Sequence, residues 1–144
     1  MKVSNDILMP QVLSMIAEGH TVTITARGNS MRPYLVSDRD KIILGHLGER
    51  VSVGDAVLAL LPTGMYVMHR IIAVDGDAVT LLGDGNLTPE HCHLSDIKAR
   101  AVAFIRKGRT KPETIFSKKY RTYRWLWMRL RPLRRYLLFI FRMF

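Results

Sequence analysis

The sequence predicts an α+β fold, mainly β: a small coiled β-sheet domain with an N-terminal helix and a basic amphipathic C-terminal helix. Six short segments rich in Val, Ile and Leu, separated by turn residues, predict the sheet between residues 21 and 105. Apolar residues at helical spacing before and after these segments predict the two helices. The 144 residues, 48% of them hydrophobic, are enough for one domain with a short extension.

The first element is a helix predicted over residues 5–18, because its apolar side chains fall on one face. Ser4 or Asn5 is the expected N-cap, and Gly19 is expected to end the helix. Pro10 is tolerated if it falls in the first turn. The apolar face consists of Ile7, Leu8, Val12, Met15 and Ile16.

The sheet follows, with strands predicted where Val, Ile and Leu alternate with polar residues or form short runs. Glycine beside asparagine, aspartate or threonine marks the turns, and Asp75-Gly76-Asp77 predicts a hairpin between the fourth and fifth strands. Six strands with such tight turns are typical of a small coiled sheet or a partial barrel. The predicted strands span residues 21–26, 41–44, 56–61, 65–74, 78–82 and 97–105.

The chain changes character after a domain predicted over residues 1–106. Residues 107–117 are predicted as a linker and residues 118–144 as a helical tail, which Pro132 should kink or split because it removes a backbone hydrogen bond. An apolar stripe and an arginine-rich face fall on opposite sides of this helix. The stripe holds Leu126, Leu130, Leu133, Leu137, Ile140, Phe141 and Phe144, and the opposite face holds Arg124, Arg131, Arg134, Arg135 and Arg142.

The net charge of +10 belongs to the C-terminal part alone. Residues 1–105 hold nine basic and 11 acidic side chains, whereas residues 106–144 hold 13 basic side chains and one acidic one. The basic residues of the tail alternate with bulky apolar ones, among them Trp125 and Trp127, so they do not form the polar groove of a nucleic-acid binder. They predict association with an anionic membrane surface, with docking on a partner protein or on the domain itself as alternatives.

Neither a secretory signal peptide nor a membrane-spanning segment is expected, because no apolar run reaches about 18 residues. We therefore expect a cytoplasmic, peripherally membrane-associated protein. The single cysteine, Cys92, excludes an internal disulfide. With His91 and His93 it offers three metal donors within three residues, but no second pair exists elsewhere, so we expect a polar loop here and no metal or other cofactor.

Four segments carry the chemistry. The sequence GNSMRP at residues 28–33 puts a serine in a turn after a strand, where a sharp bend exposes Oγ and backbone N–H groups can face an oxyanion. Such residues also populate ordinary turns, so this segment alone is weak support for catalysis. It is followed, in order, by VGDAV at residues 53–57, by HRI at residues 69–71 within a strand, and by GDGN at residues 83–86.

Together these segments resemble the signal peptidase I and LexA-like superfamily of serine peptidases. That superfamily carries a G-x-S-M-x-P box, a G-D-x-V box, a strand with the general base followed by Arg, and a G-D-N box. The resemblance covers about residues 20–106. It implies the superfamily's coiled β-sheet fold and a peptide substrate bound as an extended strand with small residues before the cleaved bond.

The resemblance also implies residue roles. Ser30 matches the nucleophile, and His69 matches the general base, which is histidine in endoplasmic-reticulum and archaeal signal peptidases and lysine in bacterial ones. A neutral imidazole can accept the serine proton near pH 7, but it needs an acceptor that fixes its tautomer. Glu90, six residues after Asp84, is the first candidate for this acceptor, Asp84 the second and Asp96 the third.

The predicted function is that of a serine endopeptidase that removes a leader, signal or precursor segment from other proteins through an acyl-enzyme on Ser30. The Ser30 backbone N–H, with the Asn29 side chain or another turn donor, is expected to bind the oxyanion. A LexA-like self-cleaving regulator is one alternative, but the chain has neither an Ala-Gly nor a Cys-Gly dipeptide. A non-catalytic membrane-associated module that has kept the fold is the other.

Overall fold

The computed structural model describes residues 2–3, 8–26, 28, 30–48, 50–107 and 109–142. It consists of an antiparallel sheet and three α-helices, so the predicted α+β, mainly β, class is confirmed. The strands are β1 (Lys2–Val3), β2 (Val22–Thr25), β3 (Lys41–Gly45), β4 (Ala56–Leu60), β5 (Tyr66–Asp75), β6 (Ala78–Leu82), β7 (Glu90–His93), β8 (Ile97–Ile105) and β9 (Glu113–Thr114). The helices are α1 (Leu8–Ala17), α2 (Lys118–Arg129) and α3 (Arg134–Arg142).

The sheet runs in the order β2-β3-β8-β4-β5-β6-β7, with β1 added beside β5 and β9 beside β8. Within the described residues its end strands β2 and β7 are not paired with each other, so the sheet is not closed. The long strand β8 pairs with β3 along its second half and with β4 along its first, and the register shifts in both pairings. Such irregularities increase the local twist, which lets the sheet coil.

The core has two parts because successive side chains of a strand point to opposite faces. In β5, Met68 belongs to the cluster that packs under α1 and α2, whereas Val67 and Ile71 belong to the second cluster. The central strand β4 divides in the same way, since Leu58 joins the first cluster and Val57 the second. Burial on both faces explains why β4 is an uninterrupted apolar run.

The six predicted strands are confirmed to within two residues at each end, and three strands escaped prediction. β7 lies where a polar loop was expected, because its sequence Glu-His-Cys-His has only one buried side chain and so lacks an apolar pattern. β9 lies inside the predicted linker and ties it to β8. β1 is only two residues long, too short for any periodicity.

Helix α1 confirms the predicted N-terminal helix. It buries Met9 and Ile16, has Pro10 in its first turn, and is followed by Gly19 at φ +96°, a conformation that favours glycine. The caps expected at Ser4 or Asn5 lie outside the described residues.

The tail is split as Pro132 predicted. A 3₁₀ turn at Arg131–Leu133 separates α2 from α3. Ser117 caps α2, since its Oγ accepts a hydrogen bond of 3.2 Å from the Tyr120 backbone N–H. None of the described helices is both long and apolar enough to cross a membrane.

The apolar stripe is not the face that packs on the sheet: Leu126, Leu133, Ile140 and Phe141 are exposed. Arg134, predicted on the opposite, arginine-rich face, is buried. The side chains that pack inward recur at intervals of seven and four residues, which also share one side of a helix. They are Tyr120, Trp127, Arg134 and Leu138.

Candidate active site

A cleft of about 800 Å³ opens beside the end of β6, and it brings together three of the predicted site residues. Ser30 enters it from the turn after β2, His69 from β5 and Glu90 from the start of β7. The remaining lining residues are mostly apolar or small, namely Gly28, Leu61, Thr63, Met65, Val67, Asn86, Leu87 and Thr88.

His69 and Glu90 meet because of the strand register. Glu90 pairs with Leu81, and Leu81 pairs with Ile71, two residues from His69, so the carboxylate reaches the imidazole past the end of β6. The distance from His69 Nδ1 to Glu90 Oε1 is 2.7 Å. The two groups touch without full hydrogen-bond alignment, since Nδ1 has no aligned partner among the described residues.

The environment of His69 favours a neutral imidazole. The side chain is 4% exposed, and burial lowers the pKa of His69 to about 3. The Glu90 carboxylate, whose side chain is 32% exposed, acts in the opposite direction because it stabilises the imidazolium. A neutral, buried imidazole beside a carboxylate can accept a proton and share the resulting charge, as a general base must.

The Ser30 side chain is held in the cleft by its backbone. The Ser30 carbonyl accepts a hydrogen bond of 2.7 Å from the Gly85 N–H. Its hydroxyl oxygen is buried and has no hydrogen-bond partner among the described residues. Buried hydroxyls are normally paired, so one without a partner in a cleft that a histidine also lines is typical of a functional group.

Asp84, the second candidate for orienting His69, makes different contacts. Its two carboxylate oxygens accept hydrogen bonds of 2.8 Å from Arg70 Nε and Nη2, and one of them accepts a third, of 2.7 Å, from the Tyr123 hydroxyl. Burial acts to lower the pKa of Arg70, but Asp84 stabilises the guanidinium, so the pKa of Arg70 is raised. Asp84 is therefore engaged in a buried ion pair and is not brought to the imidazole.

His69 and Arg70 are adjacent in the chain, but their side chains lie in different surroundings. His69 lines the cleft, whereas Arg70 points to the other face and donates to the Gly54 carbonyl and to the Tyr120 hydroxyl, both at 2.8 Å. The alternation of strand side chains separates the two. Two neighbouring residues of β5 thus connect the cleft, which His69 lines, with helix α2, which Arg70 contacts through Tyr120.

The other aspartates of the predicted segments cap backbone turns. Asp55 accepts a 2.8 Å hydrogen bond from the Ser52 N–H, and Asp96, the third candidate, accepts one of 2.9 Å from the His93 N–H. Neither contact involves His69. Asn29, the predicted oxyanion donor, lies outside the described residues, but the Asn86 side chain lines the cleft.

The three potential metal donors of β7 do not converge. Cys92 is buried and burial raises its pKa to about 11, whereas His91 and His93 are exposed on the opposite face of the strand. His93 instead contacts Asp77, with 3.1 Å between Nδ1 and Oδ2. The alternation of a strand explains this separation.

The sequence reasoning missed the residues of the tail that reach the site. Trp127 Nε1 donates a 2.9 Å hydrogen bond to the Asp84 carbonyl, and Arg134 Nη1 donates to the Gly83 carbonyl at 3.2 Å. The available signal was the spacing of Tyr120, Tyr123 and Trp127, which places three aromatic residues on one side of a helix.

Comparison with known proteins adds no relative to this picture. No family model matches the chain, and no curated protein matches it significantly.

Proposed function

We propose that the protein is a serine endopeptidase that cleaves a leader, signal or precursor segment by way of an acyl-enzyme on Ser30. One observation carries the proposal: the Ser30 hydroxyl, which has no hydrogen-bond partner in the described part of the chain, shares a cleft with His69, whose Nδ1 lies 2.7 Å from Glu90. A nucleophile, a base and a group that orients the base are the parts that acyl transfer needs. The order of the four sequence segments, which resembles the signal peptidase and LexA-like superfamily, supports the same conclusion.

The reaction proceeds in two halves. Ser30 Oγ attacks the carbonyl carbon of the scissile peptide bond while His69 accepts the hydroxyl proton, and the C–N bond breaks as His69 returns that proton to the leaving amine. Water then attacks the acyl-enzyme, gives its proton to His69, and releases the carboxylic acid as the proton returns to Ser30 Oγ. Glu90 stabilises the imidazolium in both halves.

The oxyanion requires donors beside Ser30. The Ser30 backbone N–H is one, because the attacked carbonyl carbon is bonded to Oγ of the same residue. The Asn86 side chain lines the same cleft and supplies an amide donor. Removal of such a donor typically reduces the rate of acyl transfer about 100-fold or more.

The substrate is proposed to bind as an extended peptide with small or apolar side chains near the cleaved bond. Leu61, Met65, Val67 and Leu87 give the cleft an apolar wall that suits such side chains. Cleavage of other proteins is favoured over self-cleavage, since the chain lacks the Ala-Gly and Cys-Gly dipeptides that self-cleaving relatives use. The specific signal-peptidase-like fold is part of this proposal, and the antiparallel sheet is compatible with it.

The enzyme is further proposed to sit on an anionic membrane surface. Trp125, Leu133, Phe139 and Ile140 are exposed on α2, the 3₁₀ turn and α3, and we call this set the apolar face of the tail. The surrounding region, residues 106–144, carries 13 basic side chains and one acidic one. Exposed aromatic and aliphatic residues among arginines suit the boundary between lipid headgroups and acyl chains.

The direct test is cleavage of a proteome-derived peptide library, read by mass spectrometry of new termini. Ser30→Ala and His69→Ala should each abolish cleavage. Ser30→Ala should stay folded, since the Ser30 hydroxyl makes no hydrogen bond among the described residues. Ser95→Ala, at an exposed serine, is the matched control. Unchanged cleavage by Ser30→Ala would exclude the mechanism. An uncleaved library together with no labelling of Ser30 by a fluorophosphonate would favour the non-catalytic module.

A further inference from the structure

Two helices of the tail converge on one short turn, residues 83–86. Trp127 Nε1 donates to the Asp84 carbonyl at 2.9 Å, and the Tyr123 hydroxyl donates to Asp84 Oδ2 at 2.7 Å. From α3, Arg134 Nη1 donates to the Gly83 carbonyl at 3.2 Å and to the Asn86 carbonyl at 3.4 Å. The tail thus donates hydrogen bonds to the backbone carbonyls of Gly83, Asp84 and Asn86 and to the Asp84 carboxylate.

The same turn contacts the reacting residues. The Gly85 N–H donates a 2.7 Å hydrogen bond to the Ser30 carbonyl. Gly83 fits tightly between its neighbours: a methyl group there would overlap the Ser30 carbonyl oxygen and would lie 2.9 Å from Asn86 Nδ2 and 3.0 Å from His69 Cδ2. Any displacement of the turn is therefore transmitted to both Ser30 and His69.

The contact made by Arg134 carries a desolvation cost, because it buries a charged guanidinium. A helix that only covered an apolar surface would not need such a residue. Arg134 is 2% exposed, its guanidinium lies 5.3 Å from the centre of the Trp127 ring, and its Nε has no hydrogen-bond partner among the described residues. Burial lowers the pKa of Arg134. An apolar residue would seal the same space at a smaller desolvation cost. The guanidinium is the part of this side chain that can hold two backbone carbonyls at once.

We propose that the C-terminal helices position the nucleophile, with Trp127, Tyr123 and Arg134 acting as positioning residues for Ser30 through the turn at residues 83–86. This inference rests on the proposed peptidase function. It gives the tail a role in the reaction itself, in addition to any role at a membrane. Because the tail residues lie outside the lining of the cleft, their loss should lower kcat and leave KM nearly unchanged.

The test compares conservative variants with matched controls. Trp127→Phe and Tyr123→Phe remove one donor each and keep an aromatic ring, which in Trp127→Phe is smaller than the indole. Tyr136→Phe, at an exposed tyrosine of α3, is their control. Arg134→Met is compared with Arg50→Met, at an exposed arginine of the sheet domain. The rate of Ser30 labelling by a small fluorophosphonate should fall at least about tenfold in each tail variant, as expected for the loss of one hydrogen bond (two for Arg134→Met) that holds the reacting geometry. The control variants should label at the wild-type rate.

A second readout does not depend on catalysis. Amide hydrogen exchange of residues 83–86 should be faster in the three tail variants than in the two controls. A turn that has lost a tail contact should break its hydrogen bond from the Gly85 N–H to the Ser30 carbonyl more often. Unchanged exchange, or faster exchange with unchanged labelling, overturns the inference. Absence of labelling in the wild-type protein would count against the peptidase proposal alone, and exchange would still decide whether the tail holds the turn. Should Arg134→Met fail to fold, the two Phe variants decide.

Discussion

His69 Nδ1 lies 2.7 Å from Glu90 Oε1, whereas Asp84, six residues before Glu90, pairs with Arg70. Glu90 and Asp84 were both candidates for orienting His69, but the structure gives them different partners. One is a third exposed and touches a buried imidazole, and the other is fully buried in an ion pair. Their replacement should have different consequences, which leads to the first two predictions.

Glu90→Gln should lower kcat by at least about 100-fold, because an amide cannot stabilise the imidazolium that forms when His69 accepts the Ser30 proton. The free energy of unfolding should change by less than about 1 kcal/mol, since the Glu90 side chain is partly exposed. Steady-state kinetics with any cleaved peptide and urea unfolding measure the two quantities. Asp96→Asn is the control, as Asp96 contacts only the His93 backbone N–H in the structure described. Equal activities of Glu90→Gln and the wild type would remove Glu90 from the mechanism.

Asp84→Asn should instead destabilise the fold by about 3–5 kcal/mol, because it leaves the fully buried Arg70 guanidinium without its counter-charge. Urea unfolding monitored by tryptophan fluorescence gives this value, and Trp127, which donates to the Asp84 carbonyl, is one reporter. Asp77→Asn, at an exposed ion pair, should cost less than about 1 kcal/mol. A stable, inactive Asp84→Asn protein would instead assign Asp84 a direct role in the reaction.

The pH dependence should reflect a histidine that stays neutral well below its ordinary range. Burial lowers the pKa of His69 from 6.5 to about 3, so the folded protein binds fewer protons than the unfolded chain between these values. The stability associated with neutral His69 is complete above about pH 6.5 and is lost as the pH falls toward 3. Unfolding free energies at pH 7 and pH 5 should therefore differ more for the wild type than for His69→Gln.

The same residue can be followed directly by NMR. The His69 ring resonance, identified as the one missing in His69→Gln, should not titrate between pH 8 and about pH 5. Activity should likewise persist to about pH 5, because the base remains unprotonated. A His69 midpoint near 6.5 would show that Glu90 compensates fully for burial.

Much of the sheet can be predicted from the sequence because its central strands have simple patterns. β4 is apolar throughout and buried on both faces, β8 alternates buried with half-buried residues along most of its length, and the turns between strands contain glycine or aspartate. β7 is not readable, since the one buried side chain among its four residues gives no periodicity. The pairing of β7 with β6 brings Glu90 to His69. The position of Glu90 after Asp84 in the sequence was enough to make it a candidate, but its contact with His69 depends on this strand register, which the sequence does not reveal.

The tail shows where periodicity alone is insufficient. The sequence contains both the apolar stripe and the arginine-rich face, but neither decides which side of the tail packs on the sheet domain. That side holds Tyr123, Trp127 and Arg134, whose side chains find hydrogen-bond acceptors there. Trp127 and Arg134 find backbone carbonyls of the turn at residues 83–86, and leucines could not satisfy those acceptors. A buried arginine is invisible to a hydrophobicity pattern, because its burial depends on partners that are distant in sequence.

Gly83→Ala should abolish activity and destabilise the fold, because the added methyl group overlaps the Ser30 carbonyl oxygen and crowds His69 Cδ2. The obstacle at Ser30 is backbone, which cannot move without shifting the nucleophile. Gly45→Ala is the matched control: its methyl group would meet side-chain methyls of Val102, the nearer at 3.0 Å, which can adjust. Fluorophosphonate labelling and thermal unfolding of both variants provide the comparison. Wild-type labelling in Gly83→Ala would mean that the turn is not packed against Ser30 as described.

Membrane association should depend on the apolar face of the tail. Point variants test it better than removal of the tail, which would also take the buried Tyr120 out of the hydrophobic core. Phe139→Ser combined with Ile140→Ser should weaken binding to vesicles of phosphatidylcholine and phosphatidylglycerol at least about tenfold, since each side chain contributes roughly 1.5–3 kcal/mol when fully buried. Val74→Ser, at an exposed valine of the β5–β6 hairpin, should bind like the wild type. Binding should also weaken as salt screens the arginines. Undiminished sedimentation of the double variant with these vesicles would show that this face is not the contact surface.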